Sequence, residues 1–288
     1  MLRSVFYQLF CVLACLAMLL TNSSCSKLSR ALKNPDWKVR YQAANQYYEK
    51  GDYYRASLLL EELVSIIKND PTAEDIHYKF ANCCYEENRL VDAEYYFRTF
   101  YSTYRQSPKA EDALYMSAVT MSRMSPIWYL DQENTRYAIE SIQDFINRFP
   151  KSARAKDASD KIIELRQKLE FKEYNNAKLF YKLERHKSAV IVLDNFQKDF
   201  PDSKYKEEAA YMSIRALYAY AKSSFEDVQA ERFQEVIGRC ENFIDKYSKS
   251  VYVNETQDIY ASARRGLENL AKQKQAIETK KKQSEYDK

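Results

Sequence analysis

Glycine is scarce in this chain. Three residues in 288 leave no glycine-rich loop that could cradle a phosphate. Histidine is scarcer still. His77 and His186 are the whole complement, and neither has cysteines or carboxylates at ligand spacing, which argues against zinc; no metal and no cofactor are expected. Cysteine is present but not arranged for chemistry: Cys83 and Cys84 are adjacent, Cys240 is isolated, and Cys84 and Cys240 fall on core-facing positions, as buried thiols do. An excess of positive charge is missing too. A net charge of +4 is too balanced to argue for nucleic acid, which needs a clustered basic face. Without any catalytic constellation, an enzyme is not the expected reading.

What remains is helix. Few glycines, six prolines, 30% charged residues and no long alternating run of β-branched residues describe an almost wholly α-helical chain. Carboxylates are interleaved with lysine and arginine, as on solvated helix faces.

The N-terminus reads as an address. Arg3 precedes an apolar run from Val5 to Leu20, too short for a confident membrane span, and small residues then lead to Cys25. Residues 1–24 are expected to be a lipoprotein signal peptide and Cys25 the lipidated N-terminus, although Asn22 stands where such signals usually carry a branched aliphatic residue. An ordinary secretory signal or an uncleaved anchor is the alternative. Two or more acyl chains would give stable membrane attachment. Ser26 and Lys27 follow without an acidic cluster, which fits the periplasmic leaflet.

From Lys38 to Pro108 the sequence is written twice. Tyr41, Ala44, Asn45, Tyr48, Ala56 and Leu60 recur, 37 residues later, as Tyr78, Ala81, Asn82, Tyr85, Ala93 and Phe97. A period of this size marks helical hairpins of the tetratricopeptide kind, each needing a neighbour to bury its apolar face. An apolar pair four apart followed by a capping residue extends the pattern: Phe100/Tyr104/Ser107, Phe145/Phe149/Ser152, Phe196/Phe200/Ser203 and Phe243/Tyr247/Ser250. The expected fold is therefore all-α, a right-handed superhelix of five such hairpins. Residues 25–35 are expected as a linker, 36–150 as repeats one to three, and 151–260 as an added helix with repeats four and five. Residues 261–288 should form a charged helix fraying into a tail. Asp70-Pro71 and Ser107-Pro108 predict a cap followed by proline in the first helical position.

Aligning the repeats puts tyrosine at one place in every first helix: Tyr41, Tyr78, Tyr115, Tyr174 and Tyr211. Tyr48, Tyr85, Tyr181 and Tyr218 lie two turns later, and between the tyrosines sit Asn45, Asn82, Lys178 and Arg215. These positions line the concave side of tetratricopeptide arrays. An asparagine amide both donates to and accepts from an extended backbone, and tyrosine offers amphipathic area at low entropic cost. Tyr41, Asn45, Tyr48, Tyr78, Asn82, Tyr85 and Tyr115 are thus candidates for a groove gripping peptide; packing between repeats is the rival use of each tyrosine. Trp128 and Tyr129, in an insertion within the third repeat, are a loop candidate that either packs on its own repeat or meets a partner.

Taken together, the features resemble the BamD family of outer-membrane protein assembly factors. The resemblance rests on Tyr41-x2-Ala44 with Gly51-Asp52-Tyr53-x2-Ala56, and on Phe149-Pro150-Lys151-Ser152 and Phe200-Pro201-Asp202-Ser203. It also rests on Glu111 to Met116, and on Asp131-Gln132 with Thr135-x2-Ala138. High tyrosine content looks like Bacteroidetes members. The resemblance implies a non-enzymatic lipoprotein on the periplasmic face of the outer membrane. Its N-terminal groove would receive unfolded outer-membrane proteins. Its C-terminal repeats, with Lys178, Tyr181, Arg215 and Tyr218, would dock a BamA-like barrel subunit. A general periplasmic repeat adaptor for another envelope complex shares the fold and address.

Overall fold

The computed structural model describes residues 27–68 and 70–286, so the expected signal peptide and Cys25 lie outside the described residues. Every regular element among the described residues is an α-helix. Residues 27–32 form α1. Then come α2 (Trp37–Tyr48), α3 (Tyr53–Ile66), α4 (Ala73–Glu86), α5 (Leu90–Thr103), α6 (Ala110–Arg123) and α7 (Glu133–Arg148). They are followed by α8 (Ala155–Lys182), α9 (His186–Asp199), α10 (Lys206–Lys222), α11 (Glu226–Lys246) and α12 (Val253–Tyr286). The chain divides into two compact units within α8, between Arg166 and Gln167.

In the first unit, α2/α3, α4/α5 and α6/α7 are antiparallel hairpins, and the start of α8 packs behind the third. Small residues set how closely the helices of a hairpin cross. Ala44 and Ala56, with Ala81 and Ala93, share one core, and Ala118 and Ala138 another, all essentially without solvent exposure. The second helix of each hairpin ends the same way. Its last buried apolar residue (Leu63, Phe100 or Phe145) accepts a backbone hydrogen bond from the C-cap residue four places on (Ile67, Tyr104 or Phe149). That pairing explains the apolar spacing of four. Part of the expected linker is helical: Ala31 of α1 is buried and Leu28 packs on the same core.

The second unit repeats the design with the distal part of α8 and α9, then α10/α11, closed by α12. Ala177 and Ala189 again make the close crossing, whereas the last hairpin has the bulkier Ile214 and Val236 in those places, both buried. The expected added helix and the first helix of the fourth repeat are one continuous element, α8. No glycine or proline interrupts residues 155–182. The expected fraying tail is helical through Tyr286, although beyond Leu270 its described side chains are exposed.

The turns between helices take two forms. Proline does not take the first helical position. Asp70 Oδ1 and Ser107 Oγ accept the N–H groups of Thr72 and Lys109, which leaves Pro71 and Pro108 inside the turn and starts the helices at Ala73 and Ala110. A side chain two residues upstream already takes the N–H of Thr72 or Lys109, so the ring has only to tolerate its fixed φ. Hairpin corners follow a left-handed cap: Gly51, Asn88 and Glu184 have φ of 72°, 61° and 53°. The next residue's N–H reaches back six residues' span, Asp52 to Tyr47, Arg89 to Cys84 and Arg185 to Phe180. Glutamate has no local compensation for that conformation, unlike glycine or asparagine. Glu184→Gly should raise stability by about 1 kcal/mol, read as a shift in the denaturant midpoint; an unchanged midpoint would mean the corner carries no strain.

Candidate functional site

Each first-helix tyrosine is committed to the next helix layer. Tyr41 Oη donates to Asp75 Oδ2 at 2.5 Å, Tyr78 to Asp112 and Tyr115 to Asp157. In the second unit Tyr211 donates to Glu255, and Tyr174 lies against Glu208 with Lys178 between them. Burial and the carboxylate partner push the Tyr41 hydroxyl up to about 12 and raise Tyr78 and Tyr115 further. A second clasp runs beside the first. The capping serines donate to the glutamates of the preceding first helix: Ser107 to Glu74 (2.5 Å), Ser152 to Glu111 (2.6 Å), Ser203 to Glu170 (2.5 Å) and Ser250 to Glu207 (2.5 Å).

The residue two places after each of these serines covers a tyrosine ring. Lys109 lies 5.0 Å from the Tyr78 centroid and Arg154 4.5 Å from Tyr115. In the second unit tyrosines replace the cations: Tyr205 stacks on Tyr174 at 4.2 Å and Tyr252 on Tyr211 at 4.3 Å, both nearly parallel. The Tyr41, Tyr78 and Tyr115 hydroxyls are thus part of the array's own fabric, which was the rival reading of these residues.

Two turns along α2 and α4, the geometry is different. Lys79 donates to Asn45 Oδ1 at 2.8 Å, pairs with Asp75 at 2.8 Å, and sits 5.3 Å over the Tyr48 ring. Asn82 Nδ2 donates to Tyr48 Oη at 2.9 Å. Arg123 lies 4.5 Å over Tyr85 and donates to Asn88. The structure therefore brings Asn45, Tyr48, Asn82 and Tyr85 onto one half-buried face of the first unit, and adds two cations, Lys79 and Arg123, that sequence reasoning passed over. The recurrent acid pairs Glu74-Asp75, Glu111-Asp112 and Glu207-Glu208, three and four places before a tyrosine, were the legible signal for the clasps.

On the second unit, Lys178 bridges Tyr174 Oη (2.9 Å) and Glu208 (2.8 Å). Arg215 lies near the rings of Tyr181 and Tyr211, at 5.9 and 5.7 Å. Arg215 and Tyr218 also border a cleft of about 340 Å³ with Glu255, Asp258 and Ile259.

The loop carrying Trp128 and Tyr129 is built on a buried amide. Gln132 Nε2 donates to the carbonyls of Ile127 (2.9 Å) and Leu130 (3.0 Å), while its Oε1 accepts from Thr135. The loop is thereby fixed, with Trp128 half-buried and Tyr129 exposed. Cys83, Cys84 and Cys240 are buried free thiols, each pushed up to about 12 by burial. Among the described residues no cluster could hold a metal ion, and no helix is long and apolar enough to cross a membrane.

Residues 34–220 match YfiO, described as outer membrane lipoprotein. The chain belongs to that BamD-like family. It is also similar to solved tetratricopeptide-like structures. A putative kinesin light chain from Podosopora anserina shares 12% identity over 74% of this chain and 96% of its own, with a TM-score of 0.32. A tetratricopeptide repeat protein from Parabacteroides merdae shares 10% identity over 78% and 98%, with a TM-score of 0.23. No curated protein gives a significant match.

The Asp75 carboxyl supplies a test of the clasp. Burial alone would raise it, but Lys109, Lys79 and the Tyr41 hydroxyl together hold it near 2. Its folded value lies below its unfolded one, so its contribution is complete above about pH 4 and is lost as pH falls toward 2. Allowing for partial solvent screening, the wild type should lose about 1–2 kcal/mol across that window relative to Asp75→Asn, measured by urea unfolding at each pH. Parallel pH curves for the two proteins would refute the clasp's energetic role.

Proposed function

We propose that this chain is a non-enzymatic, lipid-anchored scaffold of the complex that assembles β-barrel proteins into the outer membrane. Its N-terminal hairpins receive extended segments of unfolded barrel proteins, and its C-terminal hairpins dock a BamA-like barrel subunit. Family membership supports the setting. The observation that carries the peptide role is the face formed by Asn45, Tyr48, Asn82 and Tyr85, where two amides and two amphipathic rings follow one another across neighbouring helices. Such a face suits backbone contacts and ring packing without demanding one sequence. Lys178, Tyr181, Arg215 and Tyr218 are the subunit-side candidates, and Cys25 confines the scaffold to the membrane, raising its effective concentration against membrane-bound partners. A general periplasmic repeat adaptor is the second reading, since it would use the same fold and anchor.

Affinity purification from detergent-solubilised native membranes should recover a large barrel protein with periplasmic repeat domains; reproducible recovery of a different complex would favour the adaptor. For the groove, Asn45→Ala with Asn82→Ala should weaken binding of a peptide copying a barrel protein's C-terminal strand by about tenfold or less, at native helicity. Equal affinity in that titration would remove these amides from the binding face.

A further inference from the structure

The positive charge of this chain is gathered beside its expected anchor. Residues 27–40 carry five cations against one carboxylate, an excess as large as the +4 of the whole chain. Arg40 is paired with Glu62, and Asp36 Oδ1 accepts the N–H of Lys38 at 2.8 Å. Lys27, Arg30 and Lys33 are exposed, and among the described residues none of them has an ion-pair partner. Elsewhere on the array cations and carboxylates alternate; here one sign stands alone.

These three cations are held in place by the fold. Leu28 and Ala31, three apart on one face of α1, pack on the core of the first unit, which turns Lys27, Arg30 and Lys33 outward. Local bonds close the connection to α2. Lys33 N–H donates to the Ser29 carbonyl (3.2 Å), Asn34 N–H to that of Ala31 (3.1 Å), and Asp36 N–H to Asn34 Oδ1 (2.9 Å). Trp37 then packs on the same core. From Lys27 onward the chain is therefore no free tether. Only Ser26 separates Lys27 from Cys25, a reach of roughly 7 Å at full extension. An acylated Cys25 sits at the membrane interface, which brings Lys27 within about one Debye length, ~8 Å, of the headgroups.

We infer that α1 and the turn after it are a basic foot that rests on anionic phospholipid headgroups through Lys27, Arg30 and Lys33. The foot thereby sets which side of the first unit faces the membrane. The inference rests on the lipidation of Cys25 proposed above. Near an anionic surface each such cation strengthens attachment by roughly fivefold. Leu32, 37% exposed beside them, adds apolar contact at headgroup depth. The lipid surface is the partner because the anchor delivers it to these cations at high effective concentration.

The test uses the protein purified from membranes and reconstituted into vesicles of phosphatidylcholine, alone or mixed with phosphatidylglycerol. An environment-sensitive fluorophore on Ser29→Cys, an exposed position of α1, reads contact with the surface; Cys83, Cys84 and Cys240 are buried. Its emission should shift to the blue when phosphatidylglycerol is present and return at high salt. Lys27→Gln with Arg30→Gln and Lys33→Gln should abolish the shift without releasing the protein from either vesicle. Lys272→Gln with Lys274→Gln, in the lysine-rich end of α12, should leave it intact. Circular dichroism establishes that each variant is folded. The mass of the N-terminal peptide reads the anchor separately: a peptide without acyl chains would refute the lipidation, and the placement of the foot with it. An acylated protein with the same emission on both vesicles would overturn the foot and leave the anchor standing. A shift that survives the triple substitution, or that is lost equally in the α12 variant, would overturn it as well.

Discussion

The array depends on one repeated contact: a tyrosine hydroxyl in one first helix donating to a carboxylate near the start of the next. A hairpin of two helices buries only one face and is marginal alone. The tyrosine solves two problems together. Its ring packs on the core phenylalanines of its own hairpin, as Tyr78 does on Phe97 and Phe100 at 5.8 and 5.4 Å, while its hydroxyl reaches across to the following layer. Because the carboxylate sits in the first turn of a helix, the macrodipole favours its ionised form there. A cation or a second tyrosine then covers the ring. Ring packing on one side and an ionised acceptor on the other reinforce one another, since a hydrogen bond to a charged group is stronger than one between neutral groups.

The same contact explains how the array stops. α12 supplies Glu255 to Tyr211, so it behaves as the first helix of a further hairpin on its inward side. Asp258 stands where that hairpin's own tyrosine would be. The N-terminal part of α8 does likewise for the third hairpin, giving Asp157 to Tyr115 and carrying Asp160 in the tyrosine's place. In both helices an acid replaces the reaching residue, and the ladder ends with a solvated face. In α8 the chain then continues without a break and starts the ladder again at Tyr174.

Much of this was legible because a repeat magnifies weak signals. One tyrosine says little, but tyrosine at five equivalent positions, with alanine three places on in four of them, identifies a hairpin with a close crossing. The paired spacing of Phe145 and Phe149 likewise encodes a helix end. What escaped was the partner of each residue. Sequence periodicity reports which positions are equivalent, not which equivalent positions touch, so Tyr41 and Asp75 appear as separate repeats of two patterns until the layers are stacked. The continuity of α8 was hidden for another reason. A composition change at the end of the third repeat looks like a boundary, yet nothing between Ala155 and Lys182 can break a helix. Gln132 was noticed only as part of a motif; its task of holding loop carbonyls has no periodic trace.

The clasp also constrains how the inner face of the first unit can bind anything. Tyr41, Tyr78 and Tyr115 cannot offer their hydroxyls to a guest without loosening the stack. Tyr48, Asn45 and Asn82 are already bonded, to Asn82, Lys79 and Tyr48. A peptide lying there must exchange existing hydrogen bonds for new ones, and such exchange has a net value near zero unless the guest satisfies more groups than it displaces. Affinity on this face would therefore come mainly from side chains that share the rings of Tyr48 and Tyr85 with Lys79 and Arg123, or displace those cations, with the amides setting the direction of the guest backbone. A surface of that kind holds many sequences briefly, because no single bond is both strong and indispensable. Under the function proposed above, those are the properties a site would need to receive unfolded chains and pass them on.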